Sequence, residues 1–229
     1  LTHSCNVDLN NRAVGTADAG NGTVLNVNGA TWNASGGTIF TTSQGVGDTG
    51  TGAVFTNAGT FNKTGATTVT VQDVLFANSG ALNVQQGQLT FNVGGTLTHS
   101  GTLTIASGAQ LLLNSASTHT INTAATTIAG TIQHNNGTLQ FNGPHSISGT
   151  GQFLQTSGQV TGGNLTLGPS LATDISFGGH SGAATTTVQG AATITSSGLR
   201  LDGGRIFRNE GTLTQNGNVD LNNRAVGTA

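Results

Sequence analysis

A glycine, then a small or polar residue, then an apolar one recurs at a fixed interval along this chain. Gly59-Thr60-Phe61, Gly80-Ala81-Leu82 and Gly101-Thr102-Leu103 follow one another at a constant step of 21 in the sequence. Gly130-Thr131-Ile132 and Gly151-Gln152-Phe153 keep the same step, as do Gly190-Ala191-Ala192 and Gly211-Thr212-Leu213. Gly37 precedes Gly59 by a step of 22. The gap from Gly101 to Gly130 is 29, and that from Gly151 to Gly190 is 39, which fits two rungs meeting near Gly168. A period in this range marks stacked units, each too thin to bury its apolar face alone.

Within each period the apolar residues come in three short pulses. After Gly80 they are Leu82 and Val84, then Leu89 and Phe91, then Leu97. After Gly130 they are Ile132, then Leu139 and Phe141, then Ile147. Thr, Asn and Gln alternate with them, which is the period of a strand with one buried face. Gly, Asn and Ser between the pulses mark turns. Three strands per period describe a triangular coil whose strands pair with those of the next coil. The expected fold is all-β: a parallel β-helix, or β-solenoid, of about ten rungs per 212-residue unit.

Composition agrees. Gly, Thr and Asn make 100 of 229 residues, and only 6% are charged. Long amphipathic helices need Ala, Leu, Glu and Lys in quantity, so a helical bundle is excluded. The six Lys and Arg are spread along the chain and form no stripe for nucleic acid. The longest apolar run, Leu111-Leu112-Leu113, is far too short to span a membrane. One cysteine, Cys5, permits neither an internal disulfide nor a Cys-based zinc site. A polar β-rich chain almost without cysteine suits secreted bacterial repeat proteins.

The two ends of the chain are copies. Asn6 to Ala17 reads NVDLNNRAVGTA, and Asn218 to Ala229 reads the same. Leu1-Thr2 matches Leu213-Thr214 at the same offset of 212; only His3, Ser4 and Cys5 differ, facing Gln215, Asn216 and Gly217. The expectation is a single solenoid segment over 1–229, with 1–212 one tandem unit and 213–229 the start of the next. Without Met and beginning at Leu1, it reads as a piece of a longer product. Twelve places beyond the rung glycines lie Asn92, Asn142, Asp202 and Asn223, with Asn114 one place later. These predict an Asx ladder at one corner of the coil.

Steps such as Gly101-Thr102-Leu103-Thr104 and Gly211-Thr212-Leu213-Thr214, and the phrase Phe55-Thr56-Asn57-Ala58-Gly59-Thr60-Phe61, resemble filamentous-haemagglutinin-type adhesins and autotransporter passengers. The likeness covers most of the chain. It implies a bacterial extracellular or cell-surface β-solenoid, and it is degenerate for function.

Candidate chemistry is thin. Polysaccharide-cleaving β-helices need clustered carboxylates, whereas Asp8, Asp18, Asp48, Asp73, Asp174, Asp202 and Asp220 are scattered. Arg200, Asp202, Arg205, Arg208 and Glu210 form the one charged cluster, expected as a surface ion network rather than a catalytic or anion patch. His99 and His119 fall near one corner of consecutive rungs and are expected to face solvent, with no third metal ligand in view. Trp32, the single Trp, is expected as a core or corner filler. The sequons at Asn21, Asn33, Asn62, Asn136 and Asn164 follow from Asn and Thr abundance.

The leading expectation is therefore a structural repeat of a long fibre or adhesin stalk: no enzyme, and no catalytic, cofactor or metal residues. Its partners would be neighbouring copies end to end, lateral copies or surface polysaccharide, with no nucleic acid and no membrane insertion. The first alternative is an outer Thr/Asn ladder that binds ice or polysaccharide. It would use the residues just after each rung glycine and two places on, such as Thr60 and Asn62, or Thr102 and Thr104. The second is a β-helix lyase or glycosidase.

Overall fold

The computed structural model describes residues 1–9, 22–40 and 52–221, all in short strands and turns. Every strand pairing is parallel, and every partner comes from the coil before or after. The chain is a prism of three sheet faces. The first face is a ten-stranded sheet that starts at Thr2–His3 and ends at Ile206–Asn209. The other two faces belong to one 18-stranded sheet, because Ala172–Ser181 and Ala191–Asp202 run unbroken around the corner between them. That corner is turned by a register shift between Ile175 and Phe177, and by Ser196 and Gly198 at φ 52° and 79°. The expected solenoid is thus what forms.

One coil illustrates the plan. Ala81–Val84 lies on the first face, Gln88–Asn92 on the second and Thr96–His99 on the third. From Thr60 onward the first-face strands begin at Thr60, Ala81, Thr102, Ala125, His145, Leu165, Thr185 and Ile206, at nearly even intervals. Those starts bound seven coils, and two longer coils precede them, starting at Thr2 and Thr31.

Alternation decides what is inside. Leu89, Phe91, Leu139 and Phe141 point inward and are at most 2% exposed, while Thr102 points out. The inner columns run along the axis: Phe55, Phe76 and Leu97 are register partners, as are Val69, Leu89 and Leu111. Aromatic rings concentrate at the N-terminal half. Phe55 stacks on Phe76 at 4.9 Å, and Phe61 meets both edge-on. Trp32 closes this cluster against Phe55 at 5.0 Å and His3 at 5.3 Å, so it is the core filler expected of it. Each such pair contributes about 0.5–1.5 kcal/mol beyond the area it buries.

The rung glycines divide into two columns, where one was expected. Gly59, Gly80 and Gly101 stand at the corner before the first face, and Gly130, Gly151, Gly190 and Gly211 at the corner before the second. The longer gap from Gly101 to Gly130 is one coil plus one face. Both corners exclude a side chain for the same reason. A Cβ on Gly80 would sit 2.0 Å from the Gly59 carbonyl oxygen, and one on Gly151 2.1 Å from that of Gly130. The motif marks tight corners, not one particular corner.

The Asx ladder is likewise two ladders. Asn114 donates to Asn92 at 3.1 Å at the corner after the second face, and Asn135 and Thr156 continue that stack. Asn142 instead donates to Asn122 at 2.6 Å at the corner after the third face. Asp202 accepts from the Gly203 amide, and Asn223 lies outside the described residues.

The register gives a sharp mutational contrast. Phe141→Asp places a charge among buried apolar columns and should cost on the order of several kcal/mol. Thr102→Asp points to water and should stay within about 0.5 kcal/mol. Urea melts that shift equally for the two variants would mean an inside-outside assignment wrong by one residue.

Candidate functional site

The outer faces are built of uncharged rows. On the first face, Asn33, Asn62, Asn83 and Thr104 form a hydrogen-bonded column, each step 2.7–2.9 Å. On the second, Gln88 donates to Gln110 and Gln110 to Gln133 at 2.5 and 2.6 Å. On the third, Thr96 and Thr98 lie in one coil, and Thr118 and Thr120 in the next; Thr98 is opposite Thr120, and Thr118 opposite Thr138. The positions after the rung glycines do face outward, but they do not make one array. Thr60, Ala81 and Thr102 are on the first face; Thr131, Ala191 and Thr212 are on the second. The densest threonine grid belongs to the third face, which the glycine frame does not touch.

Two shallow open grooves follow the corners. One, of about 450 Å³, runs beside the Gly59, Gly80 and Gly101 column and is bounded by Asn28 and Gly29. The other, of about 400 Å³, lies at the corner after the first face, beside Gln85, Thr104 and Thr127. Neither is lined by a charged side chain. The interior holds a void of about 20 Å³ between Leu97, Leu113, Ile121, Phe141 and His145, room for one water and no organic ligand.

The charged cluster does not assemble as one network. Arg208 and Glu210 pair at 2.7 Å on the surface, and Gln189 donates to Glu210. Arg200 lies over the Phe177 ring at 4.4 Å, a cation–π contact. Arg205 points the other way. It is buried and donates to the Thr186 hydroxyl at 2.9 and 3.1 Å and to the carbonyls of Gly162 and Gly163. Of the scattered carboxylates, Asp8 is opposite Phe40, Asp174 opposite Leu154 and Thr193, Asp202 opposite Ser181, and Asp220 opposite Arg200. Asp18 and Asp48 lie outside the described residues. Cys5 is exposed and unbridged.

The histidines overturn an expectation. His99 and His119 do not face solvent: both are fully buried, and so are His134 and His180, with His3 and His145 nearly so. Strand parity explains it, since His99 is two places from Leu97, His119 two from Ile121, and His134 two from Ile132. That signal was available in the sequence. Among the described residues no three His, Cys, Asp or Glu come together as a metal cage.

Several inward polar groups find partners by stacking, while Nε2 of His119 and the Thr173 hydroxyl are buried without one. Asn26 donates to Asn57 and Asn57 to Asn78, each at 2.6 Å, and Asn78 donates to Nδ1 of His99 at 2.9 Å. His99 therefore keeps its proton on Nε2. These asparagines also follow parity, as in Phe55-Thr56-Asn57 and Phe76-Ala77-Asn78. A second network links Arg205, Thr186, His180 and Gln155. Arg205 donates to the Thr186 oxygen, so the Thr186 hydroxyl donates to Nδ1 of His180 at 2.9 Å, and Nε2 donates to Gln155 at 2.8 Å. Lys63 is buried too; its amine donates to the carbonyls of Gly65 and Gln86, and burial lowers its pKa. Parity places both inward, Lys63 two places from Phe61 and Arg205 two from Phe207, but nothing in the sequence names the carbonyls they reach.

No protein-family model matches the chain, and no curated protein or solved structure matches it significantly.

The buried histidines set an acid limit. Burial lowers the pKa of His99, His119 and His134 to about 4 and of His180 to about 3, with His145 adding to the shift for His99, His134 for His119, and Arg205 and then His134 for His180. A group with a folded pKa below its unfolded value stabilises the fold fully above the unfolded pKa, near 6.5. That contribution is lost as pH falls toward 4, on the order of 2–3 kcal/mol per histidine. Melting temperature should be flat from pH 8 to 7 and fall steeply from pH 6 to 4. His119→Leu should flatten the fall in proportion, and an unchanged acid slope would refute the assignment.

Proposed function

We propose that this chain is a structural repeat unit of a long secreted or cell-surface fibre or adhesin stalk, without catalytic, cofactor or metal chemistry of its own. The supporting observation is the placement of the second copy. The strands Thr212–Gln215 and Val219–Asp220, which carry the opening of that copy from Leu213 onward, pair in register on Ala191–Asp202 and extend the ladders of the second and third faces. The end of one unit is thus a template for the start of the next. Stacking of this kind covers the strand edges that would otherwise be open to promiscuous pairing. The resemblance to haemagglutinin-type and autotransporter exoproteins points the same way, to an extracellular bacterial fibre. Neighbouring copies end to end are the first partners, with lateral copies or surface polysaccharide as further ones.

The reading predicts length. Chains of one, two and three copies, imaged by electron microscopy, should be straight rods that lengthen by about 45 Å per copy at about 4.8 Å per coil. Particles that grow in girth, or that show separate beads on a string, would contradict a continuous fibre.

A second reading draws on the third face. Through the first seven coils its outward positions carry Thr, Leu, Val, Ala and Gln, with no charge. Thr96, Thr98, Thr118 and Thr120 make a grid of about 4.8 Å between coils and about 6.6 Å along the strand. A flat, regular hydroxyl and methyl surface suits an ordered partner such as ice or a polysaccharide. The double variant Thr98→Lys, Thr120→Lys should abolish arrest of ice growth, or retention on insoluble polysaccharide, without moving the melting temperature. Thr102→Lys on the first face should leave either activity intact. Equal loss from both variants, or activity in neither assay for the parent chain, would sink this reading.

A further inference from the structure

The two copies of the repeated segment lie on different faces of the prism. Thr2 belongs to the first face, opposite Asn33, whereas its copy Thr214 belongs to the second, opposite Thr193. Val7 lies on the second face, opposite Ile39; its copy Val219 lies on the third, opposite Leu199. Orientation is otherwise kept. Ile39 and Leu199, the partners of the two valines, are both buried, so both copies send Val inward and Asp outward.

Chain length forces this shift. The last first-face strand ends at Asn209, and the copy resumes at Leu213. The short stretch between them spans one corner; a whole further coil would be needed to return to the first face. From Val7 to Val219 the chain makes nine coils and one face.

Resting on the fibre reading above, we infer that successive copies in the array are related by a screw: each is turned by one face, a third of a turn, as well as advanced along the axis. The surface that receives the next copy is the ladder of Ala191–Asp202, and its occupant is the opening segment of an identical unit, seated there as residues 213–220. Asp220 of that segment lies opposite Arg200, an opposite-charge pair in cross-strand position. Asp8 at the start of this unit would take the same place against Arg200 of the unit before.

The consequence reaches the outer surface. Any one side of the fibre displays the second face of one unit, the first face of the next and the third face of the one after. The threonine grid around Thr98 and Thr120 therefore winds around the fibre and reaches all three sides, with a full repeat of three copies, about 134 Å at about 4.8 Å per coil. A fibre built this way meets a surface in the same way whichever side it lies on.

The test uses a chain of three consecutive copies with Cys5→Ser, so that only introduced thiols react, and Thr102→Cys in each copy. Thr102 is exposed on the first face. The thiols are labelled with maleimide-gold, and label azimuth is read by cryo-electron microscopy. An unlabelled reconstruction gives the same screw from backbone density if labelling disturbs the rod. The inference expects labels stepping around the axis by a third of a turn per copy. Labels in line along one side of a straight rod would overturn the screw and leave the fibre standing. Labels at unrelated angles on bent or compact particles would overturn both.

Discussion

Each strand leaves its N–H and C=O groups pointing along the axis, and only the coil above or below can satisfy them. Many corner groups do the same, as where Ala81 donates to Gly59 at 2.8 Å and Thr102 to Gly80 at 3.0 Å, while other turns close within their own coil, as Gly95 does on Asn92 and Ala109 on Ala106. Corners can stack so closely only where no Cβ intervenes, which is why glycine columns mark them. The same ladder fixes the axial rise, aligns like residues in rows and makes each unit end complementary to a unit start. Surface periodicity, and the end-to-end growth proposed above, both rest on this single backbone constraint.

That constraint also makes polar residues tolerable inside. An inward asparagine in an isolated strand would lose its hydrogen bonds on burial. In a stack it meets an identical neighbour, and Asn26, Asn57 and Asn78 pass one amide bond along until His99 ends the row. The Arg205 to Gln155 chain does this with unlike residues and holds His180 neutral between them. The interior therefore combines aromatic and aliphatic columns with hydrogen-bonded polar rows, leaves some ring nitrogens such as Nε2 of His99 and of His119 without a partner, and through its buried neutral imidazoles ties stability to pH.

The fold was legible because two signals with different origins agreed: period two inside each strand and a step of 21 between coils. Leu89, Phe91, Leu139 and Phe141 were placed correctly by parity alone. The frame between coils is less legible in the sequence. Gly101 and Gly130 carry the same motif at different corners, and Asn92 and Asn142 cap different faces, because a tight turn makes the same demand wherever it stands. The threonine rows were assigned through that frame and so were divided between two faces. His99 and His119 were assigned outward by corner offset, when their spacing from Leu97 and Ile121 already pointed inward. Lys63 and Arg205 keep the same parity, two places from Phe61 and Phe207, and only the backbone carbonyls they reach lie in contacts no spacing encodes.

In the proposed fibre the strands run across the axis and stack along it, coil on coil. Fibre diffraction from an aligned specimen of the tandem array tests this directly. The account predicts a sharp meridional reflection near about 4.8 Å, the spacing of hydrogen-bonded strands along the axis. A strand-spacing reflection on the equator, or no oriented reflection at that spacing, would contradict it.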